Sequence, residues 1–420
     1  MLKLLLILLP TFIFASTYGV LIDKVTGMPI ASAKVFDTKT EVLSDKNGKF
    51  VINSNEKVLH VKAYGYRPYG FFNDTRFVTL KCYISPIHIQ ALYLSFWGAS
   101  LDSKTLEKIM KMIDDKQINS IVVDVKNENG WTSYKTDYEV ANQMDVWTHR
   151  TIKNIDEFMA LMKAKNIYMI ARVVVFKDDM RAKNYPPFAI RDPKGEFYHA
   201  KDQMAWVNPY KLESYDYVLS IAADAAKHGF DEINFDYVRF PADKSIQYSQ
   251  INNQETRVNA ISNFIRTAQA KLRPYGTFVS IDTYGMVCWV TDDTYIGHTI
   301  TSLAKYADYI SPMLYPSGFA EGSAGYKNPT AYPYEIIYKS VENIYDRIEP
   351  KRVRPWLQAF RDYAFDKRNY KEKEIQAQIK ACKDANTSGW MFWNPSSKYE
   401  ESYFINVPSH EYQAQNRQDQ

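Results

Sequence analysis

Acidic side chains interrupt three apolar segments of the chain, at Asp124, Asp236 and Asp282. An unpaired carboxylate inside an apolar strand costs several kcal/mol, so such segments rarely carry carboxylates without a reason. One aspartate of this kind is readily explained as a structural ion-pair partner, whereas three at inward-facing positions favour a functional site. We predict functional roles for Asp236 and Asp282. The role of Asp124 stays open, because Lys126 or Arg172 could simply pair with it.

Glycoside hydrolysis needs two carboxyl groups across the scissile bond, one as acid and one as nucleophile or base. Adjacent strands lie about 5 Å apart, and the carboxyl groups of retaining glycosidases are about 5 to 5.5 Å apart. We therefore predict Asp236 as nucleophile and Asp282 as acid/base. Arg172 and Arg239 are expected to hold Asp236 ionised through charge-assisted hydrogen bonds. The acid needs a pKa raised by burial or by a like charge.

Aromatic side chains supply flat apolar faces with polar edges, which suit sugar rings. Six aromatic residues near the predicted strand ends fit this role: Trp97, Trp131, Tyr237, Tyr284, Tyr315 and Trp393. Any single one of them is almost as well explained as a core residue, and a chain with 32 tyrosines proves little by tyrosine count. The predicted substrate-binding set is Asp124, Lys126, Arg172, Arg239, Tyr237, Tyr284, Tyr315, Gln358 and Trp393.

The elements that would position these residues are short apolar strands separated by amphipathic segments, a pattern typical of buried parallel strands with crossover helices. Eight strands are predicted, at residues 91–97, 120–126, 167–176, 232–241, 277–286, 309–316, 353–360 and 388–395. Helices are predicted near residues 103–115, 152–165, 214–227, 254–272, 299–306, 335–347 and 371–385.

Eight strands with right-handed crossovers most simply close as an α/β fold of the (β/α)8 TIM barrel type, in which chemistry sits at the C-terminal strand ends. We assign residues 88–400 to this barrel. An open doubly wound sheet is the competing architecture. No glycine-rich phosphate loop follows the first strand, which disfavours a dinucleotide site. The long segment 177–213 exceeds ordinary loop lengths and is predicted to form a wall of the cleft.

The segment before the barrel has a different texture. Period-two apolar runs between turn residues predict a small antiparallel sandwich over residues 17–84, an N-terminal all-β domain. Residues 19–52 carry Gly-x-Leu-x-Asp-x-x-Thr-Gly-x-Pro-Ile-x-x-Ala-x-Val and then Ser-Asp-x-x-Gly-x-Phe-x-Ile. This pattern resembles the carboxypeptidase regulatory-like domain, a transthyretin-like sandwich. The resemblance implies attachment, spacing or sugar contact and adds no chemistry.

Residues 1–16 fit a secretory signal peptide, with Lys3, an apolar run over residues 4–14 and small residues at Ala15 and Ser16. The run is too short to span a bilayer, so cleavage is expected, and a retained anchor is the alternative. The protein is therefore expected to be exported to the periplasm, the cell surface or the exterior, with no stable membrane span after cleavage. We assign residues 401–420 to a C-terminal tail, which is polar from Gln413 onward.

Composition narrows the class of protein. A hydrophobic content of 46% and a charged content of 24% are typical of a globular protein. The formal net charge is +4 and no basic tract stands out, so a nucleic-acid partner is not expected. Three scattered cysteines exclude a disulfide framework, and the seven histidines lack metal-ligand spacing. We predict no metal and no cofactor.

Two barrel motifs point to a known family. Residues 119–126, Asn-Ser-Ile-Val-Val-Asp-Val-Lys, and 232–241, Glu-Ile-Asn-Phe-Asp-Tyr-Val-Arg-Phe-Pro, resemble the putative glycosyl hydrolase domain family, once catalogued as a domain of unknown function. The resemblance runs from about residue 89 to residue 394. It implies a barrel related to the α-amylase and α-galactosidase group, with Asp236 as the catalytic carboxylate. It does not define the substrate.

A weaker similarity is to the chitinase-like family, at residues 389–393, Gly-Trp-Met-Phe-Trp, and at 313–315, Met-Leu-Tyr. The catalytic glutamate of that family corresponds to Val238 in this chain. Substrate-assisted hydrolysis of N-acetylated sugars is therefore not expected, although a sugar-binding cleft of similar shape is.

Two functions remain open. The first is an exported glycoside hydrolase that acts on a polysaccharide or a cell-envelope glycan. The second is a non-catalytic carbohydrate-binding or scaffold protein, because no glutamate lies at an inward strand end and Asp282 is the only strong second carboxylate. A metal-dependent deacetylase or amidohydrolase would need histidines at the strand ends, and none lies there.

Overall fold

The structure, a computed structural model, describes residues 16–73 and 79–405. The chain divides into two compact units, residues 1–86 and 87–420. The predicted signal peptide lies outside the described residues apart from Ser16, which begins the first strand. Within the described ranges, no helix combines the length and the apolar character needed to cross a membrane.

The first unit is all-β. Its described strands are β1 (Ser16–Asp23), β2 (Lys34–Phe36), β3 (Glu41–Leu43), β4 (Lys49–Asn53), β5 (Val58–Lys62), β6 (Tyr69–Phe72) and β7 (Leu80–Ile84). They form a sheet in the order β4-β1-β7 and a second in the order β3-β2-β5-β6. Inward residues of both sheets, such as Leu21, Val35, Ile52 and Val61, meet in one apolar core. The expectation of a purely antiparallel region is wrong at one pair, because β1 and β7 run parallel.

The second unit is a closed barrel of eight parallel strands, which confirms the predicted (β/α)8 fold and excludes the open sheet. The strands are β8 (Ile89–Leu94), β9 (Ser120–Lys126), β10 (Tyr168–Val174), β11 (Glu232–Asp236), β12 (Phe278–Tyr284), β13 (Tyr309–Met313), β14 (Trp356–Gln358) and β15 (Gly389–Trp393). They follow one another around the barrel in chain order, and β15 closes on β8. All residues of β8, β9, β10 and β11 are buried, as the continuous apolar runs predict.

Nine α-helices are described: α1 (Lys104–Asp114), α2 (Glu139–Gln143), α3 (Ile155–Ala164), α4 (Asp179–Asn184), α5 (Tyr215–Lys227), α6 (Gln254–Leu272), α7 (Ile300–Ala304), α8 (Pro333–Glu342) and α9 (Glu372–Asp384). Seven of them match the predicted helices. The short α2 and α4 were not predicted, and they lie in the loops that follow β9 and β10. Polar caps start several helices. Asn253 and Thr256, for example, form a capping box at α6.

Strand β11 is shorter than predicted, and the reason is local. Tyr237 adopts a φ of 50°, in the left-handed region that disfavours a bulky side chain. Ladder pairing therefore stops at Asp236, which becomes the last residue of the strand.

The first residues of the predicted C-terminal tail are structured. Phe404, in the 3-10 helix Glu401–Phe404, is buried against Trp390 and Phe392.

The interior of the barrel is filled at its N-terminal end by large side chains and an ion pair. Arg354 Nη1 lies 2.6 Å from Glu232 Oε2, and the Tyr168 hydroxyl donates to the same oxygen at 2.9 Å. Glu232 is fully buried, so its charge is tolerable only with these partners. The cleft therefore belongs to the other end, where the strands terminate.

Candidate active site

Asp236 stands at the C-terminal end of β11 and is held from two sides. The backbone N–H of Tyr237 donates to its Oδ1 at 2.6 Å. Arg172 of β10 donates to its Oδ2 from Nε at 3.0 Å and from Nη2. The Asp236 side chain is 11% exposed, so it is oriented by the protein yet still reachable. The predicted pairing of Arg172 with Asp236 matches this geometry.

Arg172 also pairs with two further carboxylates. Its Nη1 lies 2.7 Å from Asp124 Oδ1, and its Nη2 lies 2.7 Å from Glu128 Oε1. The guanidinium is buried and stays charged, and the planar fork fits several carboxylates at fixed angles. One buried guanidinium thus connects three acidic side chains.

Asp124 pairs with Arg172 but does not line the cleft. Its Oδ2 accepts a hydrogen bond of 2.6 Å from the Tyr93 hydroxyl. Burial raises the pKa of Asp124, although Arg172 opposes the shift. Tyr93 in turn stacks on Trp393, with ring centroids 3.8 Å apart. Asp124 therefore connects Arg172 to the barrel interior, and the predicted substrate contact at Asp124 gives way to the ion pair.

Asp282 of β12 lies on the strand next to Asp236, and the parallel register pairs their preceding residues, Phe235 and Ile281. Its Oδ1 accepts hydrogen bonds from Asn234 Nδ2 at 2.8 Å and from Trp356 Nε1 at 2.7 Å. Burial raises the pKa of Asp282 well above its ordinary value, and the negative charge of Asp236 adds to the shift. A raised pKa favours the protonated form of a carboxyl group, which is the form that a general acid needs.

Both aspartates open into one cavity of about 220 Å³ at the C-terminal ends of the strands. Its lining residues are Glu128, Arg172, Asp236, Tyr237, Arg239, Asp282, Tyr284, Met313, Tyr315, Trp356 and Trp393. Six of the nine predicted substrate-binding residues line this cavity together with the predicted catalytic pair: Arg172, Tyr237, Arg239, Tyr284, Tyr315 and Trp393.

Glu128 lines the cavity and pairs with Arg172, and it was not among the predicted site residues. It lies two residues beyond the end of β9, in a turn where Asn127 Oδ1 accepts from the backbone N–H groups of Asn129 and Trp131. Burial raises the pKa of Glu128, but Arg172 outweighs that effect and the pKa lies below its ordinary value. Glu128 was not predicted because it lies beyond the last residue of the strand, and only acidic residues within the predicted strands were considered. The polar run Asn-Glu-Asn-Gly after an apolar strand was the available signal.

Two predicted substrate contacts lie elsewhere. Lys126 is fully buried, with its Nζ 2.8 Å from Asp178 Oδ2, and it donates to the Val174 carbonyl at 2.7 Å. Gln358 is also fully buried, and its side chain is bonded to Ser317. Neither residue lines the cavity. Both sit at strand ends, but their polar atoms are satisfied by neighbouring loops.

Arg239 lines the cavity without the predicted bond to Asp236. Its guanidinium lies 4.8 Å from the Tyr237 ring centroid, 4.7 Å from that of Tyr284 and 5.0 Å from that of Trp206. It also donates to the Phe240 carbonyl. Aromatic faces, which attract cations, hold this charge in the cavity wall.

The segment 177–213 was predicted to form a wall of the cleft, but it supplies none of the residues that line the cavity and instead contacts one of them, Tyr237. Trp206 packs edge-on against Tyr237 with centroids 5.7 Å apart. Lys177 lies 4.8 Å from the same ring and pairs with Asp202. Tyr237, whose φ of 50° lies in the left-handed region, is therefore contacted by both this segment and Arg239.

The cluster of possible metal ligands found in the described part of the chain lies apart from this cavity. Among residues 16–73 and 79–405, one group of three possible ligands lies together, Asp137, Asp224 and His228. None of these three lines the cavity, and Lys227 already pairs with Asp137 at 2.7 Å.

Comparisons with known proteins agree with this architecture. The glycoside hydrolase domain of PgaB (BpsB) from Bordetella bronchiseptica is 11% identical over 78% of this chain and 98% of that chain, with a TM-score of 0.55. The α-L-fucosidase isoenzyme 2 from Paenibacillus thiaminolyticus is 10% identical over 79% of this chain and 50% of that chain, with a TM-score of 0.50. These likenesses show a shared barrel fold.

A hypothetical protein from Ruminiclostridium thermocellum ATCC 27405 is 28% identical over 46% of this chain and 96% of that chain, with a TM-score of 0.41. No curated protein matches the sequence. The model of the family described as "Putative glycosyl hydrolase domain" matches residues 91–399, which run from within β8 to beyond the end of β15. The chain therefore belongs to the putative glycosyl hydrolase domain family.

Proposed function

We propose that the protein is a glycoside hydrolase that cleaves a polysaccharide or a cell-envelope glycan. One observation carries the proposal: Asp236 and Asp282 face the same cavity from adjacent strands in contrasting environments. Asp236 is bound to a buried guanidinium, whereas the pKa of Asp282 is raised by burial and by the charge of Asp236. Two carboxyl groups whose environments differ in this way fit the two roles of a glycosidase.

The roles follow from these environments. Asp236 attacks the anomeric carbon and forms a glycosyl ester, while Asp282 donates its proton to the departing glycosidic oxygen. Asp282, now a carboxylate, then takes a proton from water. The resulting hydroxide attacks the anomeric carbon and releases Asp236 as a carboxylate. Neighbouring strands are about 5 Å apart, which suits this retaining course.

The remaining wall residues position the sugar. Tyr237, Tyr284, Tyr315 and Trp393 offer ring faces to the cavity. Glu128 accepts hydrogen bonds from sugar hydroxyls, and Arg239 donates them. Arg172 acts through Asp236 and is a positioning residue.

Export belongs to the same proposal. The signal-like residues 1–16 would direct the chain to the periplasm, the cell surface or the exterior, where envelope glycans are found. The transthyretin-like pattern of residues 19–52 would then supply attachment or spacing for the barrel.

The test compares wild type with Asp236→Asn on a panel of bacterial and plant glycans, with new reducing ends measured by mass spectrometry. Asp346→Asn is the matched control, because the Asp346 side chain is 82% exposed and does not line the cavity. We expect turnover by wild type and by the control. The rate of turnover by Asp236→Asn should be about 10²-fold to 10⁴-fold lower than that of wild type, and the variant should still fold. Retained turnover in Asp236→Asn would defeat the assignment.

A second function, carbohydrate binding without cleavage, has one observation in its favour. Asp282 is only 3% exposed, and its Oδ1 is occupied by Asn234 and Trp356. If wild type and Asp236→Asn bind the same glycan and neither cleaves it, this second function replaces the first.

A further inference from the structure

A group of aromatic side chains lies outside the cavity, on loops of the barrel. We call Phe96, Trp97, Trp131 and His149 the aromatic platform. Trp97 is 64% exposed, and of the eight tryptophans, all of them among the described residues, it is the only exposed one. Exposing so large an apolar side chain forgoes stabilisation that burial would bring. A cluster of exposed aromatic surface commonly marks a binding site.

The rings of the platform contact one another at defined angles. The centroids of Trp97 and Trp131 are 6.3 Å apart with an interplanar angle of 73°. His149 lies 4.2 Å from Trp131, and Phe96 packs edge-on against Trp97 at 5.3 Å. Trp97, Trp131 and His149 thus form a continuous angled surface, and the buried Phe96 supports Trp97.

The platform lies on the same face of the barrel as the cavity. The 3-10 helix Phe96–Ala99 follows the C-terminal end of β8, and Trp131 follows the C-terminal end of β9. The turn at residues 127–131 carries Glu128 into the cavity and Trp131 into the platform. Three residues of chain span at most about 11 Å, so the Cα atoms of Glu128 and Trp131 are no further apart than that.

Hydrogen bonds make this turn rigid. The backbone N–H of Asn127 donates to the Trp131 carbonyl at 3.0 Å, and Gly130 adopts a φ of 89°. A Cβ at Gly130 would lie 2.4 Å from Asp178 Oδ1, so only glycine fits there. On the other side, the Thr151 hydroxyl donates to the Phe96 carbonyl at 2.7 Å. The platform is preformed, which reduces the entropy cost of binding.

We propose that the aromatic platform stacks a sugar ring of the same glycan chain whose neighbouring residue occupies the cavity. This inference rests on the proposed function. Ring faces with little charge suit the apolar face of a pyranose, and the exposed His149 can bond its hydroxyl groups. The substrate is then an oligosaccharide or a polysaccharide, since one sugar ring occupies the cavity and another stacks on the platform.

Affinity electrophoresis of the full-length protein tests the platform. Native gels contain carboxymethyl cellulose, glycol chitin or dextran, and purified peptidoglycan sacculi are tested by co-sedimentation. Every protein carries Asp236→Asn so that turnover does not alter the probe. The variants add Trp97→Ala or Trp131→Ala. The matched control adds Tyr275→Ala, an exposed aromatic residue directly before the start of β12, at the opposite end of the barrel.

We expect the parent to bind at least one of these glycans and Trp97→Ala to weaken that binding at least tenfold, with the control unchanged. Equal binding by Trp97→Ala and the parent would overturn the inference, and so would a parent that binds none of the four probes. Analytical ultracentrifugation adds another check, because a dimer that Trp97→Ala converts to monomer would mean that a second copy covers the platform.

The hydrolase assay separates this inference from the proposed function. Glycan binding that depends on Trp97, without any cleavage by wild type, would keep the platform and remove the hydrolase. Cleavage by wild type with binding independent of Trp97 would keep the hydrolase and remove the platform. Thermal unfolding of each variant, followed by circular dichroism, shows that the folded protein is being compared.

Discussion

Arg172 directs both Nε and Nη2 to a single oxygen of Asp236, with Nε 3.0 Å from Oδ2. The remaining nitrogen, Nη1, reaches Asp124 at 2.7 Å, and Nη2 also contacts Glu128. One buried cation thus orients the proposed nucleophile and neutralises part of the charge around it. The distances make Arg172 the residue on which the geometry of Asp236 depends.

Replacing Arg172 should therefore damage stability as well as activity. Arg172→Met leaves three carboxylates without their cation, and loss of one partner of a buried ion pair costs about 3–5 kcal/mol. Urea unfolding should show a decrease of that size in the free energy of unfolding. Arg266→Met, on the exposed side of α6, is the matched control and should change little. An unchanged free energy in Arg172→Met would contradict the network.

The pH dependence of turnover should respond to Trp356. Its Nε1–H donates to Asp282 and stabilises the ionised carboxyl, so Trp356→Phe should raise the pKa of Asp282 further. A general acid must be protonated, so the alkaline limb of the kcat profile should move to higher pH. Trp390→Phe, at a buried tryptophan packed on Phe392, controls for lost volume. An alkaline limb that stays in place, or moves to lower pH, would argue against Asp282 as the acid.

Lys126 should prove structural. Both Lys126 and Asp178 are fully buried and 2.8 Å apart, so Lys126→Met leaves a buried carboxylate unpaired and should lower stability by about 3–5 kcal/mol. Lys126→Met combined with Asp178→Asn should recover part of that loss, since no net charge remains. Because Lys126 does not line the cavity, the KM of the folded variant should not change. A raised KM with unchanged stability would return Lys126 to substrate binding.

Asp293 should contribute stability that disappears in acid. It accepts from Arg257 Nε at 2.6 Å and Nη2 at 2.9 Å, and from the backbone N–H of Gly297 at 3.0 Å. Burial raises the pKa of Asp293, but these donors outweigh it and the pKa lies below its ordinary value. The folded state therefore binds this proton more weakly than the unfolded state, so the stabilisation is complete above the unfolded pKa of about 3.9.

That stabilisation is lost as the pH falls through the lower folded pKa of Asp293. The difference in unfolding free energy between wild type and Asp293→Ala should therefore shrink as the pH is lowered from 7 toward about 3. Urea unfolding over this range measures it. Asp292→Ala, an exposed neighbour, should show a small difference at every pH. A difference for Asp293→Ala that grows in acid would have the wrong sign.

The barrel could be predicted because its signal is local. Each buried parallel strand is a short apolar run, and amphipathic helices separate the runs, so eight strands could be counted without knowing any contact. The place of Asp236 followed from the same pattern, since catalytic residues of this architecture lie at C-terminal strand ends. The pairing of β1 with β7 could not be predicted in this way, because strand direction depends on how a chain returns to a sheet.

Local sequence patterns do not predict which partner a polar side chain will have, as three residues show: Glu128, Lys126 and Arg239. All three are polar residues near strand ends, yet Glu128 lines the cavity beside Arg172, Lys126 pairs inside the barrel wall, and Arg239 lies among aromatic rings. A residue's partner is set by strands and loops that come from distant parts of the sequence. Asp124 and Arg172, for example, are 48 residues apart in the chain.

The sequence by itself determined the fold class and the strands near whose ends Asp236 and Asp282 lie. The reason is that the order of apolar and polar residues along the chain indicates which segments are buried. Only the tertiary structure decided how these two carboxyl groups differ. Asp236 receives Arg172 from β10, whereas Asp282 is enclosed by Asn234 and Trp356 from β11 and β14. A pKa depends on burial and on nearby charges, and both are properties of the assembled barrel.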